Sequence, residues 1–140
     1  MSKPSDDPRL EEIATSCAAM RSRMLQRTIA RRFDAALRKH GVNSGQFSLL
    51  VAIGLAGKAR AKDLGDGLSL SPAATTRALD VLERNGWIAT PIKTGRMRVV
   101  ALTGAGTRLI ETAHADWRAA NQDVTSRIGA IPRFDRSGEA

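Results

Sequence analysis

The chain has 140 residues, which fits one domain with a buried core and a helical extension. Lys and Arg number 22 against 14 Asp and Glu, for a net charge of +8 and a pI near 11.0, a balance that favours nucleic acid or another anionic surface. A single cysteine excludes an intrachain disulfide and suits the cytosol; the opening Met1-Ser-Lys-Pro-Ser-Asp-Asp-Pro8 is no apolar signal segment, and the longest mostly apolar run, 47–57, is too short to span a bilayer.

Residues 1–8 read as a disordered N-terminus. Residues 9–40 are predicted as one long helix, with a stripe of Leu10, Ile13, Cys17, Met20 and Met24 that shifts to Leu25, Ile29, Phe33 and Leu37, and with Gly41 as its stop. Its second half is strongly basic: residues 20–40 carry a net +6, against −2 for residues 1–19. Such a run is usually a solvated face; here it could also flank DNA or line an anion-binding cleft. Asn43 and Gln46 form a capping-box pair that opens a buried helix through Phe47, Leu49, Leu50, Ile53 and Leu55, which Gly57 ends. Residues 60–68 read as a short helix around Leu64, and Ser69-Leu70 as a tight turn.

The next segment is the most informative. Ser71 supplies an N-cap hydroxyl and Pro72 occupies the first helical position, where its missing N–H costs nothing. Ala78, Leu79 and Leu82 face a core, and Ala73, Thr75, Thr76, Arg77 and Asp80 fall on the other face. Short side chains at a helix N-terminus let the backbone approach base edges, while Thr and Arg can bond a base or a phosphate. Gly86 is the helix stop. Two strands follow, 87–92 and 98–102, around Lys93-Thr-Gly-Arg96. A hairpin tip of Lys93 and Arg96, with Arg98 behind it, has no core to enter; it meets water or an anion. Short helix, turn, capped helix and basic hairpin together are the pattern of a winged helix-turn-helix, with the helix in a major groove and the wing on flanking backbone or minor groove.

After the wing, Thr103 caps a helix to about residue 128, with the stripe Ile110, Ala113, Trp117, Ala120, Val124 and Ile128. A long amphipathic helix at each end of a small core needs cover, and the economical cover is the same helices of a second copy. The dimerisation residues expected are Ile13, Cys17, Met20, Ile110, Ala113, Trp117, Val124 and Ile128. The chain thus divides into an N-terminus (1–8), a single domain (9–128) with dimerisation helices 9–40 and 103–128 around a DNA-binding lobe 43–102, and a polar tail (129–140). The fold class is mainly α with a small β-wing.

Catalytic and metal chemistry find no support. His40 and His114 are the only histidines, Glu111-x-x-His114 has no second copy, and two histidines with one cysteine rarely fill a metal shell. The segment around Gly57-Lys58 lacks the hydroxyl and the first glycine of a phosphate loop. Gly104 and Gly106 lack the third glycine of a dinucleotide fingerprint. The reading is therefore no enzyme and no cofactor.

In order and spacing, Gly41-Val-Asn-Ser-Gly-Gln-Phe47, Leu64-Gly-Asp-Gly-Leu68, Thr76-Arg77 with Leu82-Glu-Arg-Asn-Gly86, Arg96 and Leu102-Thr-Gly-Ala-Gly106 resemble the multiple antibiotic resistance regulator (MarR) family over residues 10–128. The resemblance implies a homodimer with interlocked terminal helices, two winged helices on pseudo-palindromic DNA, and a repressor released by a small ligand or by oxidation. It places Arg96 as the family's wing arginine, Arg77 as its recognition-helix arginine, and Ala73, Ala74 and Thr76 near bases. Three departures stand out. Thr94 replaces the aspartate that braces the wing arginine, in a wing about two residues short. Gly65 replaces an alanine, which weakens the third helix. The Pro-interrupted tail cannot supply a long final dimerisation helix. A small aromatic or acidic effector, held by Arg21, Arg27 and Arg31, would fit the cleft between dimer region and winged helix. Some relatives sense hydroperoxides with a first-helix cysteine held near tyrosines; Cys17 has Arg21 one turn away, but it sits on the apolar stripe of a chain without tyrosine, and a structural thiol is preferred. The function read is a sequence-specific DNA-binding transcriptional regulator. The alternative is a structural or protein-interaction winged helix without sequence readout.

Overall fold

The computed structural model describes residues 3–128. The expected polar tail, 129–140, and the first two residues of the expected disordered N-terminus lie outside it. Helix α1 (Pro8–Ser16) is capped by the Asp7 side chain, which accepts from the Arg9 N–H, and has Pro8 at its first position. Helix α2 (Ala18–Leu37) follows directly, and a single 3-10 turn over Arg38–His40 ends at Gly41 with φ +76°. The expected uninterrupted helix over 9–40 is therefore corrected: the chain breaks at Cys17, whose ψ of 112° is extended. The cause is local. The Thr15 hydroxyl donates to the Glu11 carbonyl and the Ser16 hydroxyl to that of Glu12, back-bonds that bend helices.

Helix α3 (Ser44–Ala56) begins with the complete Asn43–Gln46 capping box. Asp34, from α2, also accepts from the Ser44 N–H at 2.7 Å, tying the end of α2 to the start of α3. Phe47, Leu49, Leu50 and Ile53 are buried, whereas Leu55, expected inside, is exposed. A two-residue strand β1 (Ala59–Arg60), absent from the sequence reading, precedes α4 (Ala61–Gly67). Helix α5 (Pro72–Arg84), strand β2 (Ile88–Thr94), strand β3 (Met97–Leu102) and helix α6 (Gly104–Ile128) complete the described chain. The sheet is antiparallel in the order β1-β3-β2. Its hairpin is longer than expected: Thr94 pairs with Met97, leaving Gly95 (φ +55°) and Arg96 as the whole turn. Between Ala89 and Ile92 the register shifts by one, so that Pro91, which has no N–H to donate, sits in a bulge.

The core joins the end of α2 to the winged lobe through Leu37, Leu50, Ile53, Leu79, Leu82 and Val100, all essentially inaccessible. Helix α6 lies along α2 of its own chain. Two of the expected dimerisation residues are consequently corrected: Ala113 is 0 % exposed and Val124 6 % within the single chain. Trp117 is half-buried and packs against the same core. Ile110 packs there as well. Periodicity identified a buried stripe, but much of what buries it is α2. Two aspartates on α6 reinforce the contact. Asp123 meets Arg32 at 2.7 Å, and Asp116 meets His40 Nε2 at 2.7 Å and Lys39 at 3.1 Å. The bonds from His40 and then Lys39 hold the Asp116 carboxyl below its ordinary range, and that from Arg32 does so for Asp123.

Gly65 has a packing reason the sequence could not reveal. A Cβ there would lie 2.6 Å from Thr75 Oγ1 and 3.3 Å from the Leu70 carbonyl oxygen. Glycine lets α4 approach α5 closely, so the simple expectation of a weakened helix misses its role.

Candidate nucleic-acid interface

Helix α5 is anchored by Leu79 and Leu82 and started by Ser71, whose Oγ accepts from the Ala74 N–H at 3.1 Å. Before it, Ser69 takes the left-handed φ of +55° and Leu70 N–H bonds the Gly65 carbonyl at 2.8 Å, closing the turn between α4 and α5. Gly86 (φ +75°) ends α5, and the Thr103 hydroxyl donates to its carbonyl at 2.6 Å while accepting from the Gly106 N–H. The capped helix is thus clamped at both ends, and the wing leaves it at a fixed point.

Seven of the nine residues expected at the interface are accessible: Ser71, Ala73, Thr76, Arg77, Lys93 and Arg96 are exposed and Ala74 half-buried. Arg77, Lys93 and Arg96 have no carboxylate within ion-pair distance among the described residues. Two expectations are corrected. Thr75 is 3 % exposed; its hydroxyl bonds the Ser71 carbonyl at 2.9 Å, and it fills the space beside Gly65. One step of 100° carries the chain from buried Thr75 to exposed Thr76. Arg98 is 9 % exposed and reaches Asp80 at 2.7 Å and Glu83 at 3.3 Å on α5. Glu83 also accepts from the Thr90 hydroxyl at 2.7 Å. Arg98 is therefore a brace between wing and helix and does not reach outward. Thr94, standing where a bracing aspartate was looked for, is exposed. The sequence reading missed this brace. Its only signal was two carboxylates a turn apart on a helix beside a basic strand.

The basic stretch of α2 and the 3-10 turn after it separates into two groups. Arg32 and Lys39 pair with α6, whereas Arg21, Arg23, Arg27, Arg31 and Arg38 have no ion-pair partner among the described residues. The three arginines expected to hold an effector do not converge: Arg31 lines a groove beside Arg32 and Asp123, Arg21 lines another by Met24, and Arg27 lines neither. A cleft of about 310 Å³ between α2, α3 and α6 is lined by Gln26, Ile29, Phe33, Phe47, Ser48 and Trp117. Cys17 is half-buried at the α1–α2 break. No helix among the described residues is long and apolar enough to cross a membrane.

The MarR family model matches residues 42–98, from the start of α3 into β3. Over these residues the chain is similar to the MarR family. No curated protein matches the sequence. Among solved structures, the M. tuberculosis transcriptional regulator MosR in complex with DNA is 28 % identical, with 87 % of this chain and 90 % of that one covered and a TM-score of 0.74. MosR alone is 28 % identical over 89 % and 91 % of the two chains, with a TM-score of 0.75. A mutant MarR from E. coli complexed with operator DNA shares the fold at 24 % identity over 85 % and 87 %, with a TM-score of 0.75. The MarR winged-helix fold thus extends beyond 42–98 to most of the chain.

Proposed function

We propose that this chain is a sequence-specific DNA-binding transcriptional regulator, acting as a repressor on a pseudo-palindromic operator. The observation that carries the reading is the clamped α5 with Thr76 and Arg77 exposed beside a hairpin tip of Lys93 and Arg96, all free of carboxylates among the described residues. The similarity to the MarR family and the likeness to a DNA-bound MosR support it. In this reading Thr76 and Arg77 enter the major groove, Ser71, Ala73 and Ala74 bring the helix N-terminus close to the DNA, and Arg96 and Lys93 hold the wing on backbone or minor groove.

The same reading includes a homodimer in the cytoplasm. Leu10, Ile13, Met20, Met24 and Leu25 are all exposed, and α1, nine residues long, buries none of its residues. An isolated helix of that length is marginal in water, so the apolar face of α1 and early α2 is assigned to a second copy. Ile13, Met20 and Ile128 remain accessible for that contact, with Cys17 between the first two. A small effector is assigned to the 310 Å³ cleft, where an aromatic acid would meet Gln26 and Ser48 in place of an arginine. Ligand there would wedge α2 against α3, shifting the winged lobe relative to the dimer helices.

The test is a titration of the parent, Arg77→Ala and Arg96→Ala on operator and scrambled duplex at several salt concentrations. Arg77→Ala is expected to cost about 1–3 kcal/mol and to relax preference at one base. Arg96→Ala is expected to weaken binding on all sequences and to flatten the salt slope by about one unit. A parent without sequence preference would leave a structural or protein-interaction winged helix in its place.

A further inference from the structure

Arg98 has been described as a brace, but the residue it braces stands beside the residue expected to read DNA. Asp80 follows Arg77 by three positions on α5, and residues three apart are neighbours on a helix surface. An aspartate and an arginine at that spacing pair readily. They do not pair here: Asp80 Oδ1 accepts from Arg98 Nη1 at 2.7 Å, and Arg77 has no carboxylate partner among the described residues.

The exposures say which member of the network is fixed. The side chain of Arg98 is 10 % exposed, against 50 % for Asp80 and 43 % for Glu83. The guanidinium is the buried anchor and the carboxylates are drawn to it. Its Nε has no hydrogen-bond partner, so Asp80 and Glu83 supply its side-chain hydrogen bonds. A buried cation deprived of such partners is costly, which makes the network persistent. Glu83 is held a second time, by the Thr90 hydroxyl of β2. Both carboxylates, on a helix that faces a polyanion, are thereby turned toward one cation from inside the wing, which offsets one of their two negative charges.

We propose that Arg98 is a positioning residue for DNA readout: by holding the Asp80 carboxylate, it keeps Arg77 unpaired and available to a base. This rests on the DNA-regulator reading and adds to it a residue that acts without touching DNA. It also changes the meaning of Thr94. The wing, which has Thr94 in place of a bracing aspartate, is tied to the helix instead by a cation on the strand and carboxylates on the helix.

The experiment uses the full chain and a duplex that the parent enriches from a randomised pool, titrated by fluorescence anisotropy at several salt concentrations, with each variant's folding checked by circular dichroism. Arg98→Met is expected to weaken binding by about tenfold to a hundredfold, the range for losing one base-reading arginine. Adding Asp80→Asn to Arg98→Met is expected to restore affinity to within a few fold of the parent. Adding Arg98→Met to Arg77→Ala is expected to cost nothing further, because both remove the same contact. Arg98→Lys, which keeps a cation opposite Asp80, is expected to retain most of the affinity. The salt slope of Arg98→Met/Asp80→Asn should equal the parent's, whereas a lost phosphate contact would lower it by about 0.9. Additive losses with Arg77→Ala, or no rescue by Asp80→Asn, would overturn the proposal. Should Arg98→Met be too unstable to titrate, Asp80→Asn alone decides: binding equal to or tighter than the parent's supports it, and loss of specific binding overturns it. A parent that enriches no duplex would instead defeat the DNA-regulator reading, a result distinct from any pattern among the variants.

Discussion

Replacing Gly65 by alanine sets two physical effects against each other. Alanine is the better helix former by about 1 kcal/mol, so propensity alone predicts stabilisation. Packing predicts the opposite. The new methyl would sit 2.6 Å from Thr75 Oγ1 and 3.3 Å from the Leu70 carbonyl oxygen, in a place where both neighbours are held. Thr75 is 3 % exposed and its hydroxyl is committed to the Ser71 carbonyl at 2.9 Å; the Leu70 backbone is committed to Gly65 itself. Overpacking costs about 1–3 kcal/mol, and turning the Thr75 hydroxyl away leaves a buried group unpaired for about 1 kcal/mol or more. The net expectation for Gly65→Ala is roughly 1–3 kcal/mol of destabilisation, a fall in Tm of roughly 4 °C for each kcal/mol in a chain of this size. Thr75→Ala removes the obstructing oxygen. The double variant is therefore expected to be more stable than the sum of the singles by about 1 kcal/mol or more. Urea and thermal unfolding of the four proteins measure this. A stabilised Gly65→Ala, or strict additivity with Thr75→Ala, would refute the close α4–α5 approach.

Gly106→Ala should be worse still, because its Cβ would run into the backbone carbonyl of Trp87, which cannot rotate aside; expression of folded protein and its Tm are the readouts. Asp116 and Asp123 have folded-state pKa values below the ordinary 3.8, so the stability they contribute is present above that value and lost as pH falls through their lowered pKa values. Asp116→Asn/Asp123→Asn is accordingly expected to be less stable than the parent near neutrality and to converge with it as acid protonates both carboxyls; a difference that does not shrink as pH falls below 3.8 would contradict the assignment. Cys17→Ser is expected to bind DNA as the parent does, and peroxide to leave the parent's affinity unchanged. Peroxide-dependent loss of binding that Cys17→Ser abolishes would make Cys17 a redox switch.

What the sequence made legible is what is decided locally. The capping box at Asn43–Gln46, the Ser71–Pro72 start of α5 and the stop at Gly86 depend on a few adjacent residues, and they stand where the sequence places them. Features decided at a distance were not legible. Strand β1 is two residues that become a strand only by meeting Val99 and Val100 some forty positions later. The α6 stripe declared itself buried, but periodicity does not say whether α2 of the same chain or of another copy does the burying. Arg98 looked like one more basic residue of the wing because nothing in its neighbourhood along the chain reveals Asp80 and Glu83, 15 to 18 residues away. Thr75 and Thr76 are chemically alike, and only the packing of α5 on Gly65 separates the buried one from the exposed one.

The central claim is that α5 and the wing, presented twice by a dimer, read an inverted repeat. Selection of duplexes from a randomised pool by the full chain, followed by footprinting of the enriched sequence, tests it most directly. The account predicts an inverted repeat whose half-sites are centred about 10 base pairs apart, protected by one dimer. An enriched pool indistinguishable from the input, or a single unrepeated site bound by a monomer, would contradict it.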